Sequence, residues 1–523
     1  MGLPQLKLED IPCMNLGKFV LDSMRKHDRK SIAMVDANTD RNISYGELIH
    51  LTERAASGLQ KLGVRKGDVI CILSPNHTDY MVAFYATALI TATFQPVNPL
   101  YTRDDIKRVI KQCNTKFIMT VPEHLSKVEE AVRGTNVKVI VFGKSQGHVT
   151  FESLIQNSDG RYTSPACDAK NDVVAYMSSS GTTGFPKAVM LSHYAIVANT
   201  LQQKAVGLAK ADDCYIMFLP LFHMYGLYTV TLLCHVIGAK IVIMSRFVPD
   251  DYLRLIQKYK PNMLQVVPPV MVMFSKYPKV SDYNLSSIQS VVCGAAPLSQ
   301  EIEDMVKRKL KLPCIIQGYG MTEVGVTHAN GKEDFRYKSV GRRLPLVEMK
   351  IVDVETGKTL GINEEGEIWV RGPQLCLGYL NLPEENKNFF TADGWARTGD
   401  IGKEDEDGYM YVVDRLKELI KYKGLQVAPA TLEDILLHHD AIADVGVIGV
   451  PDEEAGELPR AYVVKKAGKR ITEAEIVKYV NDKVSPHMRL RGGVEFVDEI
   501  PRTLSGKILR KTLRLKAKAL SKL

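Results

Sequence analysis

The chain has 523 residues, 45% of them hydrophobic and 24% charged, values typical of globular proteins that exclude collagen-like, fibrous and disordered classes. At roughly 100–200 residues per domain, this length predicts several domains. The net charge of +8 is concentrated near the C-terminus, where Lys507 and the residues after it include seven basic and no acidic side chains. A solvated helix face is the ordinary interpretation of such a charge run. Attraction of a phosphate-rich small molecule is a second interpretation, and nucleic acid is disfavoured because no zinc-finger, RNP or basic-zipper pattern accompanies it.

The first 400 residues alternate helix-like and strand-like segments, which predicts parallel sheets covered by helices. A first series contains the helix-like YGELIHLTERAASGLQKLG, the strand-like DVICIL and the helix-like HTDYMVAFYATALITATF, residues 77–94. A second series runs from IMFLPLFH to SIQSVVCGAAPLS. From about Val347 to Arg371 the hydrophobic period changes to two, which predicts a small β subdomain. After Asp414 the pattern starts anew with strands, a helix over ITEAEIVKYVNDKV, and a final strand and basic helix.

The longest apolar stretch, Gly226 to Met244, contains polar residues and is too interrupted for a membrane span. It predicts a buried helix, a turn at Gly238 and a buried strand, and we expect no transmembrane segment. The nine cysteines are scattered and lack C-x-x-C spacing, so the sequence predicts neither a disulfide framework nor a zinc site, and a reducing compartment fits best.

The two termini differ in what they predict about targeting. The N-terminal residues lack an apolar signal core, and Leu6 stands where myristoylation needs Ser or Thr. The chain ends in Ser521, Lys522 and Leu523, the tripeptide that the peroxisomal import receptor reads. We therefore expect the peroxisomal matrix as the location and the import receptor as a partner.

The strongest local signal is the segment AYMSSSGTTGFPKAVMLSH, residues 175–193. From Ser178 to Gly184 it holds only Ser, Thr and Gly, and it follows a strand-like run. Glycine permits close backbone approach, while hydroxyl and N–H groups donate to phosphate oxygens, and Lys187 would add a positive charge. The loop is not a Walker A motif, because Ala188 follows the lysine in place of Ser or Thr. Taken alone, it is equally well interpreted as a Ser/Gly linker.

Six further motifs occur in a fixed order: PLFHMYG, GAAPLS, QGYGMTE, ARTGD, DRLKELIKYKGLQVAPA and PRTLSGK. Together with SSGTTGFPK they resemble the adenylate-forming superfamily of acyl-CoA synthetases, plant 4-coumarate CoA ligases and beetle luciferases, from about Ile43 to the terminus. The resemblance implies an α/β fold in which residues 1–414 form two doubly wound α/β subdomains and a small β-barrel subdomain. A small mobile α+β C-terminal domain, residues 415–523, would follow. It also implies ATP, Mg²⁺ and coenzyme A as cofactors.

The same resemblance implies which residues contact the nucleotide. Those near the phosphates would be Ser179, Ser180, Gly181, Thr182, Thr183, Gly184, Lys187 and Thr322. The adenine and ribose would meet Gly294, Ala295, Ala296, Gln317, Gly318, Tyr319, Asp400 and Arg415. Glu323 would hold Mg²⁺, a hard ion that prefers carboxylate and phosphate oxygens. Outside this context Glu323 would be interpreted as an ordinary surface acid, and the Thr-Gly-Asp of ARTGD as a turn.

Lys507 is the residue expected to catalyse the first half-reaction, in which the acid attacks the α-phosphate and gives acyl-AMP and pyrophosphate. A long ammonium side chain can neutralise the negative charge that develops there. Without the Ser-Gly-Lys context, Lys507 would be one of seven cations on a basic tail. The resemblance implies that the C-terminal domain then rotates about a hinge at Asp414 to Lys417. The loop Lys421 to Gln426 would replace Lys507, with Lys421 contacting AMP and the carboxylate.

Coenzyme A would contact Lys423, Gly424 and Gln426 of that loop, and Arg246 stands where related ligases carry a coenzyme A-contacting lysine. The acid would contact His223, Tyr225, Thr229, Ala295 and Gly318, with His223 near its carboxylate. A lone histidine at an apolar edge is otherwise more often a core residue with its hydrogen bonds satisfied.

Some positions depart from the patterns of the two best-known groups. Trp369 replaces the cysteine usual in 4-coumarate CoA ligases, and Val324 to Thr327 lacks their proline–valine pair. Val326 stands where luciferases typically carry a hydroxyl side chain, which makes light emission doubtful. We therefore predict a peroxisomal ATP-dependent CoA ligase for medium- or long-chain fatty acids or aryl-alkyl acids.

Three alternatives remain open from sequence. They are a 4-coumarate CoA ligase proper, a luciferase-type monooxygenase that uses the same adenylate, and a nucleotide-binding protein without turnover. The last is disfavoured because the charged motif residues Lys187, Glu323, Asp400, Arg415 and Lys507 are all present.

Overall fold

The computed structural model describes residues 6–179, 186–296, 298, 300–331, 334–423, 425–503 and 506–520, apart from the side chains of residues 519 and 520. The predicted phosphate-loop residues Ser180, Gly181, Thr182, Thr183 and Gly184 lie outside these described residues. The same is true of Gly424 and of the terminal Ser521, Lys522 and Leu523.

The helices are, in chain order, α1 (Leu16–Met24), α2 (Tyr45–Leu62), α3 (Thr78–Leu89), α4 (Arg103–Cys113), α5 (Leu125–Val132), α6 (Phe151–Gln156), α7 (His193–Val206), α8 (Leu233–Ile237), α9 (Pro249–Tyr259), α10 (Pro268–Lys276), α11 (Gln300–Leu310), α12 (Pro383–Phe389), α13 (Pro429–Leu437), α14 (Glu473–Asn481) and α15 (Arg510–Leu520). A π-helix (Tyr225–Leu232) continues directly into α8. Short 3₁₀ helices lie at Leu8–Asp10, Pro122–His124, Pro278–Asp282 and Pro486–Met488.

The strands are β1 (Ile32–Asp36), β2 (Asn42–Ser44), β3 (Val69–Leu73), β4 (Thr93–Val97), β5 (Phe117–Thr120), β6 (Lys138–Val141), β7 (Val149–Thr150), β8 (Val173–Ser179), β9 (Lys187–Ser192), β10 (Cys214–Met217), β11 (Lys240–Ile243), β12 (Met263–Val266), β13 (Ser290–Cys293), β14 (Ile316–Met321), β15 (Gly325–Ala329), β16 (Arg342–Arg343), β17 (Glu348–Val352), β18 (Gly366–Arg371), β19 (Gly378–Tyr379), β20 (Ala396–Glu404), β21 (Met410–Arg415), β22 (Ile420–Tyr422), β23 (Leu425–Val427), β24 (Ile442–Asp452), β25 (Gly456–Lys465) and β26 (Val494–Phe496).

The first series of elements forms an eight-stranded sheet in the order β19-β9-β8-β4-β3-β5-β6-β7. The strands from β8 to β7 are parallel, as the alternating pattern predicts, and β9 and β19 add an antiparallel edge. The helix expected over residues 77–94 is shorter than predicted: α3 ends at Leu89, and Thr93–Val97 forms β4. Thr91 adopts a left-handed backbone with φ +56°, which ends the helix and starts the turn into the strand.

The second series divides between two sheets, β10-β11-β1-β2 and β12-β13-β14-β15-β16. N-terminal strand β1 completes the first of them because it pairs in parallel with the free edge of β11. The apolar stretch after Gly226 folds as predicted into a buried helix, a left-handed turn at Gly238 and buried β11. Across the described residues, no helix combines the length and the apolar character needed to cross a bilayer.

The segment with period two forms the antiparallel sheet β17-β18-β20-β21, in agreement with the predicted small β subdomain. Residues after it build a further sheet, β23-β22-β25-β24, with β26 beside β25. This last sheet and helices α13 and α14 share a core of their own, which includes Leu432, Val447 and Ile476. Two buried contacts hold the C-terminal helices in place. Asp414 Oδ2 accepts from the N–H of Ala430 near the start of α13 (2.9 Å), and Arg510 binds both carboxylate oxygens of Glu433 (2.8 Å).

One carboxyl group is buried between α11 and β14. Glu303 is 3% exposed, and its Oε2 accepts a hydrogen bond from Gln317 Nε2 at 3.3 Å. Burial raises the pKa of Glu303 to about 7; nearby Lys307 lowers it and Asp304 raises it further. Above neutral pH the folded protein therefore contains a buried carboxylate, and the hydrogen bond that it accepts from Gln317 comes from a neutral amide, which does not compensate its charge.

We expect Glu303→Gln to stabilise the protein at high pH and to have little effect at low pH. The folded state holds the Glu303 proton more tightly than the unfolded state, so the wild type loses stability as the pH rises from about 4.5 to about 7. The loss amounts to at most about 3 kcal/mol above pH 7. Urea unfolding midpoints at pH 5 and pH 8 test this, with the partly exposed Glu301→Gln as the control. A gain that is equal at both pH values would contradict the prediction.

Candidate active site

A cavity of about 490 Å³ opens where the sheets meet the C-terminal part of the chain. It gathers residues from β8, β9, the π-helix, β14, β20 and β21, together with the loop before α15. Most of the predicted site residues line it: Ser179, Lys187, His223, Tyr225, Thr229, Gly294, Ala295, Gln317, Gly318, Tyr319, Thr322, Glu323, Asp400, Arg415 and Lys507. The fold thus brings motifs that lie hundreds of residues apart into one site.

Five predicted and described residues are not among those that line the cavity: Arg246, Ala296, Lys421, Lys423 and Gln426. The last three lie exposed on the hairpin of β22 and β23. The neighbouring turn holds that hairpin in place, since the Lys421 N–H donates to Glu457 (2.9 Å) and the Lys423 N–H to the Ala455 carbonyl (2.8 Å). In this arrangement Lys507 is in the cavity and Lys421 is outside it.

The predicted phosphate loop joins two antiparallel strands, β8 and β9. Ser179 and Lys187 are opposite each other in the register, so they mark the two ends of the loop. The connection is a β-hairpin and not the strand-to-helix turn of a Walker A motif. Lys187 Nζ lies 2.6 Å from Glu385 Oε2 and 4.7 Å from the ring centre of Tyr379. An ion pair and a cation–π contact therefore hold this ammonium group at the base of the loop.

Glu323, on the turn that follows β14, contacts the same Tyr379 side chain as that lysine. It is 5% exposed, and its Oε1 accepts a hydrogen bond from the Tyr379 hydroxyl at 3.0 Å. Burial raises the pKa of Glu323, while the Tyr379 hydrogen bond and the positive charges of Arg415 and Lys507 lower it. The turn is tight: a Cβ added to Gly320 would lie 2.4 Å from the Gly325 carbonyl oxygen, so only glycine fits there.

A second carboxylate, Asp400, lies on β20 at the other side of the cavity. It is 6% exposed and accepts a hydrogen bond from the Tyr319 hydroxyl at 2.7 Å. Arg415, directly across the strand pair on β21, places its Nε 3.3 Å from Asp400 Oδ1. The Asp400 oxygens thus face a phenol and a guanidinium, and a carboxylate in this position can accept hydrogen bonds from a polyhydroxylated ligand.

Lys507 also lines the cavity, and the charges of both carboxylates act on its ammonium group. Burial lowers the pKa of the Lys507 ammonium to about 8, and the charge of Arg415 lowers it further, while Asp400 and Glu323 act in the opposite direction. At neutral pH most Lys507 side chains are therefore protonated. Because this ammonium group is buried away from water, it interacts strongly with an incoming anion.

His223 and Tyr225 lie where the side of the cavity that contains Lys507 continues into an apolar part. Burial lowers the pKa of His223 to about 4, with help from the charge of Lys507, so the ring is neutral at pH 7. His223 Nδ1 accepts from the N–H of Tyr225 (3.3 Å), which leaves the ring proton on Nε2. The Tyr225 hydroxyl donates to Gln265 Oε1 (3.0 Å). A Cβ on Gly294 would lie 3.3 Å from the Tyr225 ring, so the glycine makes room for it.

The apolar part of the cavity was missed by sequence reasoning. It is lined by Val206, Leu208, Ala209, Val230, Leu233 and Cys234, which come from the end of α7 and from the π-helix and α8. Their hydrophobic periodicity is that of any core helix, so no signal in the sequence separates them from core residues.

Several polar lining residues were also missed. Arg397 and Lys417 lie inside the recognised motifs ARTGD and DRLK, so their proximity to the site could have been found. Tyr379, Glu385 and Gln203 lie outside the motifs quoted for the resemblance, and only the fold reveals them.

Comparison with known families places this geometry in context. The profile of the AMP-binding enzyme family matches residues 21–380, and that of the AMP-binding enzyme C-terminal domain matches residues 431–507. The chain is 41% identical over 497 residues to 4-coumarate–CoA ligase 1 of Solanum tuberosum, covering 93% of this chain and 91% of the relative. It is 40% identical over 512 residues to 4-coumarate–CoA ligase 2 of Petroselinum crispum, covering 96% and 94%.

Solved structures are similar over nearly the whole chain. The anthranilate CoA ligase AuaEII, in complex with anthranoyl-AMP, has a TM-score of 0.90 at 25% identity, covering 99% of this chain and 100% of that one. ATP-bound MatB from Rhodopseudomonas palustris has a TM-score of 0.89 at 27% identity, with 97% and 100% covered. The profiles, the relatives and the shared fold agree with the motifs that line the cavity, and the chain belongs to the AMP-binding enzyme family, within the adenylate-forming superfamily that its sequence resembles.

Proposed function

We propose that this AMP-forming acid–CoA ligase activates a hydrophobic acid, either a medium- or long-chain fatty acid or an aryl-alkyl acid of similar length. The observation that carries the proposal is the apolar part of the cavity next to His223 and Lys507. An acid whose carboxylate lies beside these two residues can bury its hydrocarbon body against Val206, Val230 and Leu233.

In the first step, a carboxylate oxygen of the acid attacks the α-phosphorus of ATP, and the bond to the pyrophosphate oxygen breaks. The Lys507 ammonium neutralises negative charge on the reacting oxygens as it develops. Neutral His223 offers its Nε2 proton to the carboxylate and so orients it without adding charge. Lys187 is placed to take up the charge of the leaving pyrophosphate.

The residues present fit a Mg²⁺ ion that ATP carries into the site. The described residues contain no cluster of three or more His, Cys, Asp or Glu side chains suited to a metal ion. Mg²⁺ commonly needs only one or two carboxylates besides substrate phosphates and water, and the buried carboxylate of Glu323 with the adjacent Thr322 hydroxyl supplies that. A bound Mg²⁺ would neutralise phosphate charge there.

In the second step, the thiol of coenzyme A attacks the acyl carbonyl carbon, and AMP leaves. The proposed route requires Lys507 to leave the cavity and the hairpin of Lys421 and Lys423 to approach it, through rotation at residues 414–417. The exposed side chains of Lys421 and Lys423 support this proposal, because they can enter a new contact without leaving a buried one.

A second candidate substrate is a hydroxycinnamic acid. Thr229 Oγ1 is buried at the cavity wall without a hydrogen-bond partner among the described residues, and a phenolic hydroxyl could satisfy it. The identity of about 40% to plant 4-coumarate–CoA ligases points in the same direction. The departures at Trp369 and at Val324 to Thr327 argue for the broader class named above.

We also propose that the protein acts in the peroxisomal matrix, on the basis of the terminal Ser521-Lys522-Leu523. A fluorescent protein fused to the N-terminus of the full chain should co-localise with a peroxisomal marker. The same fusion without the last three residues should remain diffuse. Identical distributions of the two fusions would contradict the proposal.

The proposed function is tested by pyrophosphate release from ATP and Mg²⁺ with fatty, hydroxycinnamic and luciferin-like acids, each with and without coenzyme A. We expect acyl-CoA formation that depends on coenzyme A, with fatty or aryl-alkyl acids preferred. Preference for hydroxycinnamates would favour the second candidate, and light with luciferin and no coenzyme A would favour a monooxygenase. No turnover with any acid, despite ATP binding, would contradict the proposal.

Lys507→Ala should separate the two half-reactions. Without the ammonium, formation of acyl-AMP should fall at least about 100-fold, because several kcal/mol of transition-state stabilisation is lost. Conversion of presynthesised acyl-AMP and coenzyme A into acyl-CoA should remain close to wild type. Lys511→Ala, which removes a cation from the same basic tail, serves as the control. Equal loss of both half-reactions in Lys507→Ala would contradict the role given to this residue.

A further inference from the structure

We propose that Glu385 is a positioning and release residue that competes with the phosphates of the nucleotide for Lys187. The Glu385 carboxylate pairs with Lys187 when no phosphate is bound, and the pair forms again when pyrophosphate leaves. This competition weakens the binding of pyrophosphate. The inference rests on the proposed function, since it assigns the Lys187 end of the cavity to the phosphates.

The contact itself is close and specific. Lys187 Nζ and Glu385 Oε2 are 2.6 Å apart, and both side chains line the cavity. Lys187 comes from β9 and Glu385 from α12, and the two elements are joined through β19, which pairs with β9. The pair therefore bridges 198 positions in the sequence and depends on the fold rather than on helix spacing.

The carboxylate carries its full charge at neutral pH. The hydrogen bond from Lys187 lowers the pKa of Glu385, and the positive charge of Lys417 adds to the effect. The charges of Lys187 and Glu385 therefore cancel locally at the base of the loop. A phosphate group that binds Lys187 has to displace this carboxylate or lie next to it, and in both cases the negative charge of Glu385 weakens the interaction.

A second contact remains to Lys187 when Glu385 turns away. Its ammonium also lies over the ring of Tyr379, which is fixed by its hydroxyl bond to buried Glu323. The Lys187 side chain is 19% exposed, whereas that of Glu385 is 44% exposed. The lysine is thus the fixed member of the pair, and the carboxylate is the member that can turn toward solvent when an anion arrives.

The neighbouring residue supplies a matched control. Glu384 precedes Glu385 on α12 and pairs with Lys387 at 2.8 Å, but its side chain is 78% exposed and it does not line the cavity. Glu384→Gln therefore removes the same charge from the same helix without changing the partner of Lys187. Glu385→Gln removes the charge but keeps an oxygen that can accept from Lys187, and Glu385→Ala removes both.

The experiment measures binding of inorganic pyrophosphate to the full chain by calorimetry, and thermal unfolding verifies that each variant is folded. We expect Glu385→Gln and Glu385→Ala to bind pyrophosphate about two to five times more tightly than the wild type, a range set by the modest strength of partly exposed ion pairs. Glu384→Gln should bind as the wild type does. In turnover, the two Glu385 variants should show stronger product inhibition by pyrophosphate and a lower KM for ATP.

Three results would overturn the inference. Unchanged binding in both Glu385 variants would show that the carboxylate does not compete. Weaker binding in Glu385→Ala with normal binding in Glu385→Gln would show that it only holds Lys187 in place. Absence of pyrophosphate binding by the folded wild type would show that phosphates do not bind at this end of the cavity. A failure of the proposed ligase function is distinguishable, because it would appear as no acyl-CoA from any acid while the pyrophosphate measurements still gave their own answer.

Discussion

The need to pair charges in a partly buried cavity is the constraint on which the rest of this site depends. An ionised side chain that loses water must find a partner, and the cost of leaving it alone is several kcal/mol. Asp400 is paired with Tyr319 and Arg415, Glu323 with Tyr379, and Lys187 with Glu385. These side chains thus have partners before any ligand enters. Ligand binding then becomes an exchange of partners, which requires little reorganisation of the surrounding sheets.

The folding pattern explains how these partners meet. Tyr379 belongs to the short strand β19, which adds to the edge of the large sheet beside β9, and this pairing brings the phenol under Lys187. Asp400 and Arg415 face each other across β20 and β21 of the smaller antiparallel sheet. The strand pairings fix the backbone positions from which both contacts are made, so the contacts depend little on side-chain flexibility.

The sequence predicted those features that depend on local chemistry. The motifs contain many of the residues that line the cavity, and the hydrophobic periods predicted the alternating layers, the small antiparallel sheet and the buried helix and strand around Gly238. Features that depend on distant packing were not predicted. The helical pattern of α3 continued beyond Leu89 in the sequence, yet a left-handed Thr91 stopped the helix, and β1 joined a sheet built by much later strands.

The missed site residues have the same physical origin. Glu385 follows another acid, Glu384, on α12 and looks like any exposed helix acid until β19 and β9 bring it to Lys187. The apolar lining from Val206 to Cys234 follows core periodicity, and whether a core residue faces a void or a neighbour is decided by packing across elements. Substrate length is invisible in sequence for this reason.

The adjacent residues Asp414 and Arg415 at the end of β21 contact different parts of the molecule. Asp414 accepts a hydrogen bond near the start of α13 in the C-terminal core, whereas Arg415 is paired with Asp400 in the cavity wall. A ligand that draws Asp400 away from Arg415 therefore acts on the backbone link that carries the C-terminal helices. Linkage makes this effect reciprocal: any orientation of those helices that a cavity ligand favours must itself raise the affinity for that ligand by the same factor. If the C-terminal region rotates as proposed, these two neighbouring residues join occupancy of the cavity and orientation of that region into a single equilibrium.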